Sequence, residues 1–431
     1  MPSKELLKEI ITENKKFIIN LPDIISRKNI PLPPGNINKA VILYGVRRGG
    51  KSFILYDIFK KHPDSSLYID FEDERFSDIK TEDMESVRSA FFELNPHLIN
   101  DKNNVYFLFD EIQNIANWEK FARRMAEKEN IHIFCAGSSS KITPYKINTS
   151  LRGRSWSVET FPFSFKELLE LKLGGYGRNI KPPDIFYGDT KIVIKKYLSE
   201  YLQYGGFPEI ILAGSEFEKT KLLREYLDAM FFKDLVERFD VKNIKLIDAL
   251  KNKLFSSFST KLSLASVYRQ YKDNFPFSKD ALYSYYNYFL DSMLIYETRK
   301  FTESAYKRMR NPAKIYLADN GLCKRTTSPD SGRLLENLTF IELKKNYDEI
   351  FYFEGKRECD FIVSKSAAFS VFQVCYELND SNRDRELEGL VEAAESLGLK
   401  EGIVITYDVE DHFFYNGINI NVTPFWKWAL R

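Results

Sequence analysis

An octapeptide near the amino end, Gly45-Val-Arg-Arg-Gly-Gly-Lys-Ser52, has the residue types and the spacing of a phosphate-binding loop. Glycines let the backbone bend around a polyphosphate with its N–H groups turned inward, and the following helix presents its positive end to the anion. Lys51 is predicted to reach the β- and γ-phosphates, and the Ser52 hydroxyl to ligate magnesium. The residues predicted to contact the nucleotide are Gly45, Arg48, Gly49, Gly50, Lys51, Ser52 and Phe53. For Arg48, a solvated surface charge is the alternative role.

A second pattern, Val105-Tyr-Phe-Leu-Phe109, indicates a buried strand that ends in two carboxylates, Asp110 and Glu111. A carboxylate at position 110 can hold magnesium, directly or through water. Glu111 is placed to polarise a water against the γ-phosphate, which is the work of a general base. The alternative is a strand followed by a solvated acidic turn, and the phosphate-binding loop upstream favours the catalytic interpretation.

A third pattern is a strand followed by three serines, in the segment Phe134-Cys-Ala-Gly-Ser-Ser-Ser140. In a parallel sheet the end of this strand would lie beside the strand that carries Asp110 and Glu111. Ser138 or Ser139 could then sense the γ-phosphate or orient the attacking water. The alternative is a helix N-cap, a position that serine favours.

The elements that must position these residues alternate between strand and helix. Strand patterns occupy 40–44, 66–71, 105–109 and 131–136, and helical patterns occupy 51–61, 81–94 and 116–129. Such alternation predicts a parallel sheet with helices on both faces. An amphipathic helix at 4–19 and a proline-rich connector precede it.

The pattern changes after residue 161, where helical segments are followed by two strand patterns at 291–299 and 313–318. Helices followed by a two-stranded wing are typical of a winged helix, a helix-turn-helix variant. Basic and aromatic residues there are candidates for contacts to DNA phosphates, namely Tyr268, Arg269, Lys272, Lys279 and Tyr283. The alternative is that these helices only pack against the rest of the protein.

The succession of motifs resembles the AAA+-type ATPases of the prokaryotic or archaeal type. The segments that carry the resemblance are the phosphate-binding loop, 68–73, 110–113, 137–140, 151–154, 161–167, Tyr204-Gly-Gly-Phe-Pro-Glu209 and Lys314-Ile-Tyr-Leu-Ala-Asp-Asn-Gly-Leu322. The resemblance covers residues 30–410 and implies ATP as the nucleotide. After an N-terminal helix and connector (1–39), it implies an α/β P-loop NTPase core with a parallel sheet (40–160), a helical lid (161–240), a winged helix (241–325) and a restriction-endonuclease-like α/β domain (326–431).

The resemblance also implies that an arginine after the proposed sensor serines approaches the γ-phosphate, either in its own chain or in a neighbour. Arg154 is favoured for this role over Arg152. Such an arginine stabilises the charge that develops in phosphoryl transfer. Surface charge or a contact to the lid is the alternative.

The restriction-endonuclease fold uses an acid on a helix, an Asp on a strand and Glu-x-Lys on the next strand. Mapped onto this chain, the first two are Glu336 and Asp360, and Gln373-Val-Cys375 stands where Glu-x-Lys is expected. Glutamine has no carboxylate charge and cysteine cannot replace an ammonium group. We therefore predict a degenerate site without nuclease activity, on a fold that could still bind nucleic acid or hold a partner.

The whole-chain composition excludes several classes of protein. Among 431 residues, 63 Lys and Arg oppose 61 Asp and Glu, and this net charge of +2 argues against a wholly basic coat protein but leaves local basic patches open. We find no apolar run of about 18 residues and no signal-peptide pattern. The four cysteines form no CxxC pair, which is typical of a reducing cytoplasm.

We interpret the chain as a cytoplasmic, magnesium-dependent ATP hydrolase. Its predicted catalytic residues are Lys51, Glu111, Ser138 and Arg154, its metal ligands are Ser52 and Asp110, and its cofactors are ATP and Mg²⁺. Hydrolysis would be coupled to conformational change of the winged helix and the C-terminal domain. DNA, a protein partner and a second copy of the chain are the open partners, and no membrane contact is expected. The alternatives are a nucleotide-gated switch with very slow turnover and an ATP-dependent nuclease.

Overall fold

The computed structural model describes residues 2–22, 24–27, 30–34, 39–77, 79–137, 142, 151, 153–173, 188–302, 304, 311–323 and 330–430. The chain divides into two compact units, Met1–Phe161 and Pro162–Arg431.

The first unit contains a five-stranded parallel sheet. Its strands are β1 (Ala40–Tyr44), β2 (Ser66–Asp70), β3 (Tyr106–Asp110), β4 (His132–Ala136) and β5 (Ser155–Glu159), in the order β2-β3-β4-β1-β5. The helices are α1 (Lys4–Asn20), α2 (Lys51–Lys61), α3 (Met84–Leu94) and α4 (Trp118–Glu129). The predicted parallel sheet is therefore confirmed, with β5 as an additional edge strand that the sequence patterns missed.

Helices cover both faces of this sheet. Consecutive strand residues point to opposite sides, so these buried strands present side chains that need covering on each face. On one face, Leu108 and Phe134 pack in a buried cluster with Leu55 of α2 and Ile18 of α1. On the other face, Phe107 packs edge-on against Phe91 of α3, and Phe109 lies against Phe121 of α4. Because all the strands are parallel, the carboxyl ends of β1, β3 and β4 meet at one edge.

The second unit has helices throughout its sequence. They are α5 (Phe165–Lys172), α6 (Gly188–Tyr204), α7 (Pro208–Leu212), α8 (Glu216–Ala229) continued by a π-helix (Met230–Glu237), α9 (Ile244–Ser256), α10 (Leu264–Tyr271), α11 (Lys279–Asp291), α12 (Ser331–Asn346), α13 (Arg383–Ser396) and α14 (Phe425–Trp428).

A nine-stranded mixed sheet completes the second unit. Its strands are β6 (Thr260–Leu262), β7 (Ile295–Lys300), β8 (Ala313–Leu317), β9 (Glu349–Glu354), β10 (Glu358–Lys365), β11 (Ala368–Val374), β12 (Glu401–Thr406), β13 (Asp411–Tyr415) and β14 (Ile418–Pro424), in the order β13-β14-β12-β11-β10-β9-β7-β8-β6. The two strands predicted for a wing are β7 and β8, which pair antiparallel. β7 also pairs with β9, so the segments predicted as a winged helix and as a C-terminal domain share one sheet.

Two of the motifs that carry the family resemblance meet inside the second unit. The Asp319 carboxylate accepts hydrogen bonds from the backbone N–H groups of Gly206 (2.7 Å) and Gly321 (2.7 Å). Gly205 has φ of +74°, and a Cβ built there would lie 1.6 Å from Asp319 Oδ1. Glycine at position 205 is thus required for the backbone to close around a buried carboxylate, which is an architectural role.

Candidate active site

The phosphate-binding loop connects β1 to α2 and needs glycine at both of its ends. Gly45 follows β1 with φ of +146°, and a Cβ there would lie 2.1 Å from the carbonyl oxygen of Thr160. Gly50 has φ of +92° and forms the N-cap of α2, so Lys51 is the first helical residue. The loop therefore turns directly into the positive end of a helix, as an anion site requires.

Lys51 is buried, with 6% of its surface exposed. Its ammonium donates hydrogen bonds to the carbonyl oxygens of Gly45 (3.1 Å) and Val46 (3.0 Å). The loop therefore wraps around its own lysine and holds a positive charge inside its curve.

Other predicted loop residues differ in exposure. Arg48 is exposed and has a left-handed backbone with φ of +63°, whereas Gly49 is buried. Phe53 is 52% exposed, and its ring lies edge-on to Tyr56 at 5.5 Å. Arg27, to which the sequence analysis assigned no role, donates to the carbonyl oxygens of Gly49 (3.2 Å) and Phe161 (2.9 Å) and so braces the loop.

Asp110 ends β3 in a buried position beside the loop. Its carboxylate is hydrogen-bonded to Ser52 and accepts bonds from Tyr68 Oη (3.3 Å) and the Glu111 N–H (3.0 Å). Burial raises the pKa of Asp110 to about 6; the charges of Glu111 and Asp70 add to this rise, and the hydrogen bond from Ser52 opposes it. Since hydroxyl and carboxylate oxygens are ligands that Mg²⁺ prefers, the pair Ser52 and Asp110 fits that ion.

A second strand end brings another carboxylate to this edge of the sheet. Asp70, the last residue of β2, is in register with Asp110. Burial and the charge of Glu111 raise the pKa of Asp70, and the N–H of Glu72 donates to it and lowers this pKa. Asp70 lies in the segment 68–73, which carries the family resemblance, but no role was predicted for it. Its place at the end of a strand was the available signal.

Glu111 directly follows Asp110 with φ of +46°, in the left-handed region that non-glycine residues rarely occupy. Gln113 Nε2 donates a hydrogen bond to the Glu111 carboxylate. A Cβ built at Gly137, just after β4, would lie 2.0 Å from Gln113 Oε1, so the amide is held against the end of the next strand. Gln113 was not among the predicted site residues, although it contacts the predicted general base.

The predicted sensor strand, β4, lies between β3 and β1, so its end does adjoin the strand of Asp110 and Glu111. The Gly137 N–H donates to the Leu43 carbonyl (3.3 Å), next to the start of the phosphate-binding loop. Ser138, Ser139 and Arg152 lie outside the residues that the structure describes.

Arg154 lies at the opposite edge of the sheet. It precedes β5, whose first residue pairs with Ala40 at the start of β1, and it forms an ion pair with Glu127 (2.9 Å). About five strand residues, or roughly 16 Å, separate that edge from the loop, which exceeds the reach of an arginine side chain. In this structure Arg154 therefore does not reach the loop of its own chain, and its nucleotide role stays a prediction.

The predicted degenerate nuclease residues are only partly brought together. Glu336 and Asp360 meet through the ammonium of Lys314, which the sequence analysis missed because it lies outside the mapped motif. Gln373 Oε1 accepts from the Asp360 N–H (3.2 Å) and so lies beside the cluster. Cys375 does not join it, since its thiol faces the carbonyl oxygen of Glu377 (3.0 Å).

Two family models match parts of this chain. A family model described as an AAA domain matches residues 37–169, a range that contains β1 to β5. A second model, described as a domain of unknown function, matches residues 195–331. The fold of the first unit and its phosphate-binding loop thus define a P-loop protein of the AAA type.

Relatives extend the match over the whole chain. The uncharacterized protein MJ1544 of Methanocaldococcus jannaschii is 36% identical in an alignment 450 residues long, which covers 99% of this chain and 96% of that protein. An uncharacterized protein of Haemophilus influenzae is 25% identical over 356 residues, covering 80% of this chain and 84% of that protein. The Walker-type ATPase PABY2304 of Pyrococcus abyssi matches with a TM-score of 0.45 and 16% identity, over 71% of this chain and 98% of that one. The chain therefore belongs to the same family as MJ1544, and its residues 37–169 match the AAA domain.

Among the described helices, none combines the length and the apolar character needed to cross a membrane.

Replacing Asp110 by asparagine is expected to stabilise the first unit at neutral pH. The folded-state pKa, about 6, lies above the ordinary 3.8, so the native state binds the extra proton between these values. The free energy of unfolding of the wild type therefore falls by on the order of 3 kcal/mol as pH rises through that window. Asparagine does not ionise, so the variant does not lose this stability. Thermal unfolding of both proteins at about pH 4 and pH 8 measures the effect; an equal difference at the two pH values would contradict it.

Proposed function

We propose that this chain binds Mg·ATP at the loop Gly45–Ser52 and hydrolyses it, with Ser52 and Asp110 on the magnesium and Glu111 as the general base. The observation that supports this most directly is the convergence of three groups at one edge of the sheet. These are the buried ammonium of Lys51, the hydrogen-bonded pair of Ser52 and Asp110, and the carboxylate of Glu111.

The chain's own groups divide the work of phosphoryl transfer. Lys51 and the positive end of α2 neutralise the charge that the phosphates develop, and magnesium, when bound, would neutralise the rest. Glu111 accepts a proton from the attacking water, and the bond from Gln113 holds its carboxylate in place. Ser138 stays a proposed sensor, and Arg48 and Phe53 stay proposed nucleotide contacts.

A role for Arg154 at the nucleotide requires a second copy of the chain. Because the side chain lies at the far edge of the sheet, only a neighbouring chain could present it to a nucleotide. Its guanidinium is about half exposed and would have to leave Glu127 to do so. We therefore propose a homo-oligomer in which Arg154 acts on the site of a neighbour.

DNA binding by the helices α10 and α11 is a further part of the proposal. The candidate residues Arg269, Lys272 and Lys279 are exposed, and Tyr283 is 47% exposed. Other aromatic residues of α11 are buried in the core, namely Tyr285, Tyr286 and Phe289. Exposed basic residues give sequence-independent affinity for phosphates, and nucleotide-driven movement of this region would couple hydrolysis to DNA.

The described cysteines support the proposed cytoplasmic location. Cys135, Cys323, Cys359 and Cys375 are all buried free thiols. Such a set needs no oxidising compartment.

A single-turnover experiment tests the proposed hydrolysis. The purified full-length chain, in excess over radiolabelled ATP, is expected to bind the nucleotide only with Mg²⁺ and to convert it to ADP, and EDTA is expected to stop the conversion. Tight binding with very slow conversion and retained ADP would favour the nucleotide-gated switch. If ATP does not bind in the presence of Mg²⁺, the proposal is wrong.

A further inference from the structure

A buried lysine in the second unit is surrounded by three carboxylates. Lys314, on β8, has only 4% of its side chain exposed. Its ammonium nitrogen lies 2.9 Å from Glu336 Oε1, 2.8 Å from Glu358 Oε1 and 2.7 Å from Asp360 Oδ1. An ammonium group carries three N–H donors. All three are therefore used by carboxylates, and the nitrogen is the centre of an oxygen cage.

Each carboxylate of this cage is also held by a second donor. Tyr316 Oη donates to Glu336 (2.8 Å) and the Val374 N–H donates to Asp360 Oδ2 (2.9 Å). Lys261 pairs with Glu358 Oε2 (2.9 Å). The three oxygens are thus directed toward one point by contacts that do not depend on Lys314.

A helix and a strand supply the carboxylates of the cage. Glu336 projects from α12, and Glu358 and Asp360 come from the same strand, β10. Carboxylates on adjacent helix and strand positions, converging on one point, are the ligands that a hard divalent cation such as Mg²⁺ or Mn²⁺ takes.

The lysine is charged in this setting. Burial alone would lower its pKa, but the carboxylates of Asp360 and Glu336 outweigh burial and raise the pKa of Lys314 well above its ordinary value. The ammonium form of Lys314 is therefore favoured inside the cage.

We propose that the ammonium of Lys314 is the built-in cation of this carboxylate site and occupies the place that a divalent metal would take. The wild-type chain accordingly binds no divalent metal between Glu336, Glu358 and Asp360, and removal of the ammonium turns the cage into a Mn²⁺ site. Lys314 is not arranged to activate a water, because none of its three N–H donors is left for one. The occupied cage, in addition to Gln373 and Cys375, explains why the unit would not cut DNA.

Counting bound Mn²⁺ by electron paramagnetic resonance tests this proposal. The full-length chain is used without nucleotide, as wild type, Asp360→Asn, Lys314→Ala and the double variant. Wild type and Asp360→Asn are expected to bind equal numbers of Mn²⁺. Lys314→Ala is expected to bind one more ion per chain, to gain thermal stability from Mn²⁺, and to lose both properties in the double variant.

Lys314→Gln keeps most of the side-chain length but has no charge. If the alanine variant does not fold, the Mn²⁺ count of Lys314→Gln is compared with wild type instead. The wild-type measurement needs no variant at position 314. A wild-type Mn²⁺ ion that Asp360→Asn removes would overturn the proposal, as would Mn²⁺-dependent cleavage of plasmid DNA that the same substitution abolishes. A folded variant at position 314 with no additional ion would overturn it as well.

Discussion

Replacing Glu111 by glutamine is expected to slow ATP hydrolysis roughly 100- to 10,000-fold, the range that a general base contributes, while ATP still binds. Glutamine keeps the volume of the side chain but cannot accept a proton from water at neutral pH. Asp110 and Ser52 are unchanged, so the nucleotide affinity in the presence of Mg²⁺ should stay within a few-fold of wild type. Single-turnover rates and equilibrium binding of a labelled ATP, measured on the same protein, separate the two effects.

A matched control for this variant is Glu82→Gln, which makes the same chemical change at an exposed glutamate of the first unit. Its hydrolysis rate should equal that of wild type. Glu111 also has an unusual backbone, so the thermal unfolding of both variants is compared with wild type. Normal hydrolysis by a folded Glu111→Gln protein would remove the general base from the proposed mechanism.

Replacing Lys51 by alanine is expected to lower the affinity for Mg·ATP at least about a hundredfold. Two charge-assisted contacts to phosphate oxygens are worth roughly 1.5–3 kcal/mol each, and about 1.4 kcal/mol corresponds to a factor of ten. The substitution also removes the bonds from Nζ to the carbonyl oxygens of Gly45 and Val46, so the curvature of the loop is less well held. Isothermal titration with ATP and Mg²⁺ measures the loss.

The control here is Lys120→Ala, at an exposed lysine of α4. This substitution removes the same charge at a position far from the loop in the sequence. It should bind ATP as wild type does, which separates a local effect from a change in net charge. Circular dichroism shows whether Lys51→Ala is folded. Unchanged ATP affinity in a folded Lys51→Ala protein would contradict nucleotide binding at this loop.

The structure agrees with the sequence most closely where the signal is local. The strands before Gly45 and Asp110 are short buried apolar runs, and their chemistry follows at once in the chain, so pattern and spacing were sufficient. The edge strand β5 was missed because its sequence, Ser155-Trp-Ser-Val-Glu159, is short and half polar, with only two buried positions. An edge strand buries less of itself, so its hydrophobic signal is weaker.

Residues that act across large separations in the chain were the ones missed. Arg27 reaches the carbonyl oxygen of Phe161 from 134 positions away, and Lys314 reaches Asp360 from 46 positions away. Gln113 was missed although it is only two residues from Glu111, because its importance comes from the approach of Gly137 on another strand. No spacing rule identifies such partners.

By itself the sequence determined that this protein has a phosphate-binding loop, an Asp-Glu strand end and a parallel α/β core. These are set by glycine, charge and periodicity within a few neighbouring residues. Only the tertiary structure decided that Arg154 faces away from its own loop and that Lys314 fills the carboxylate cage of the second unit. Both follow from strand order and register, which depend on how distant segments pack and not on local residue types.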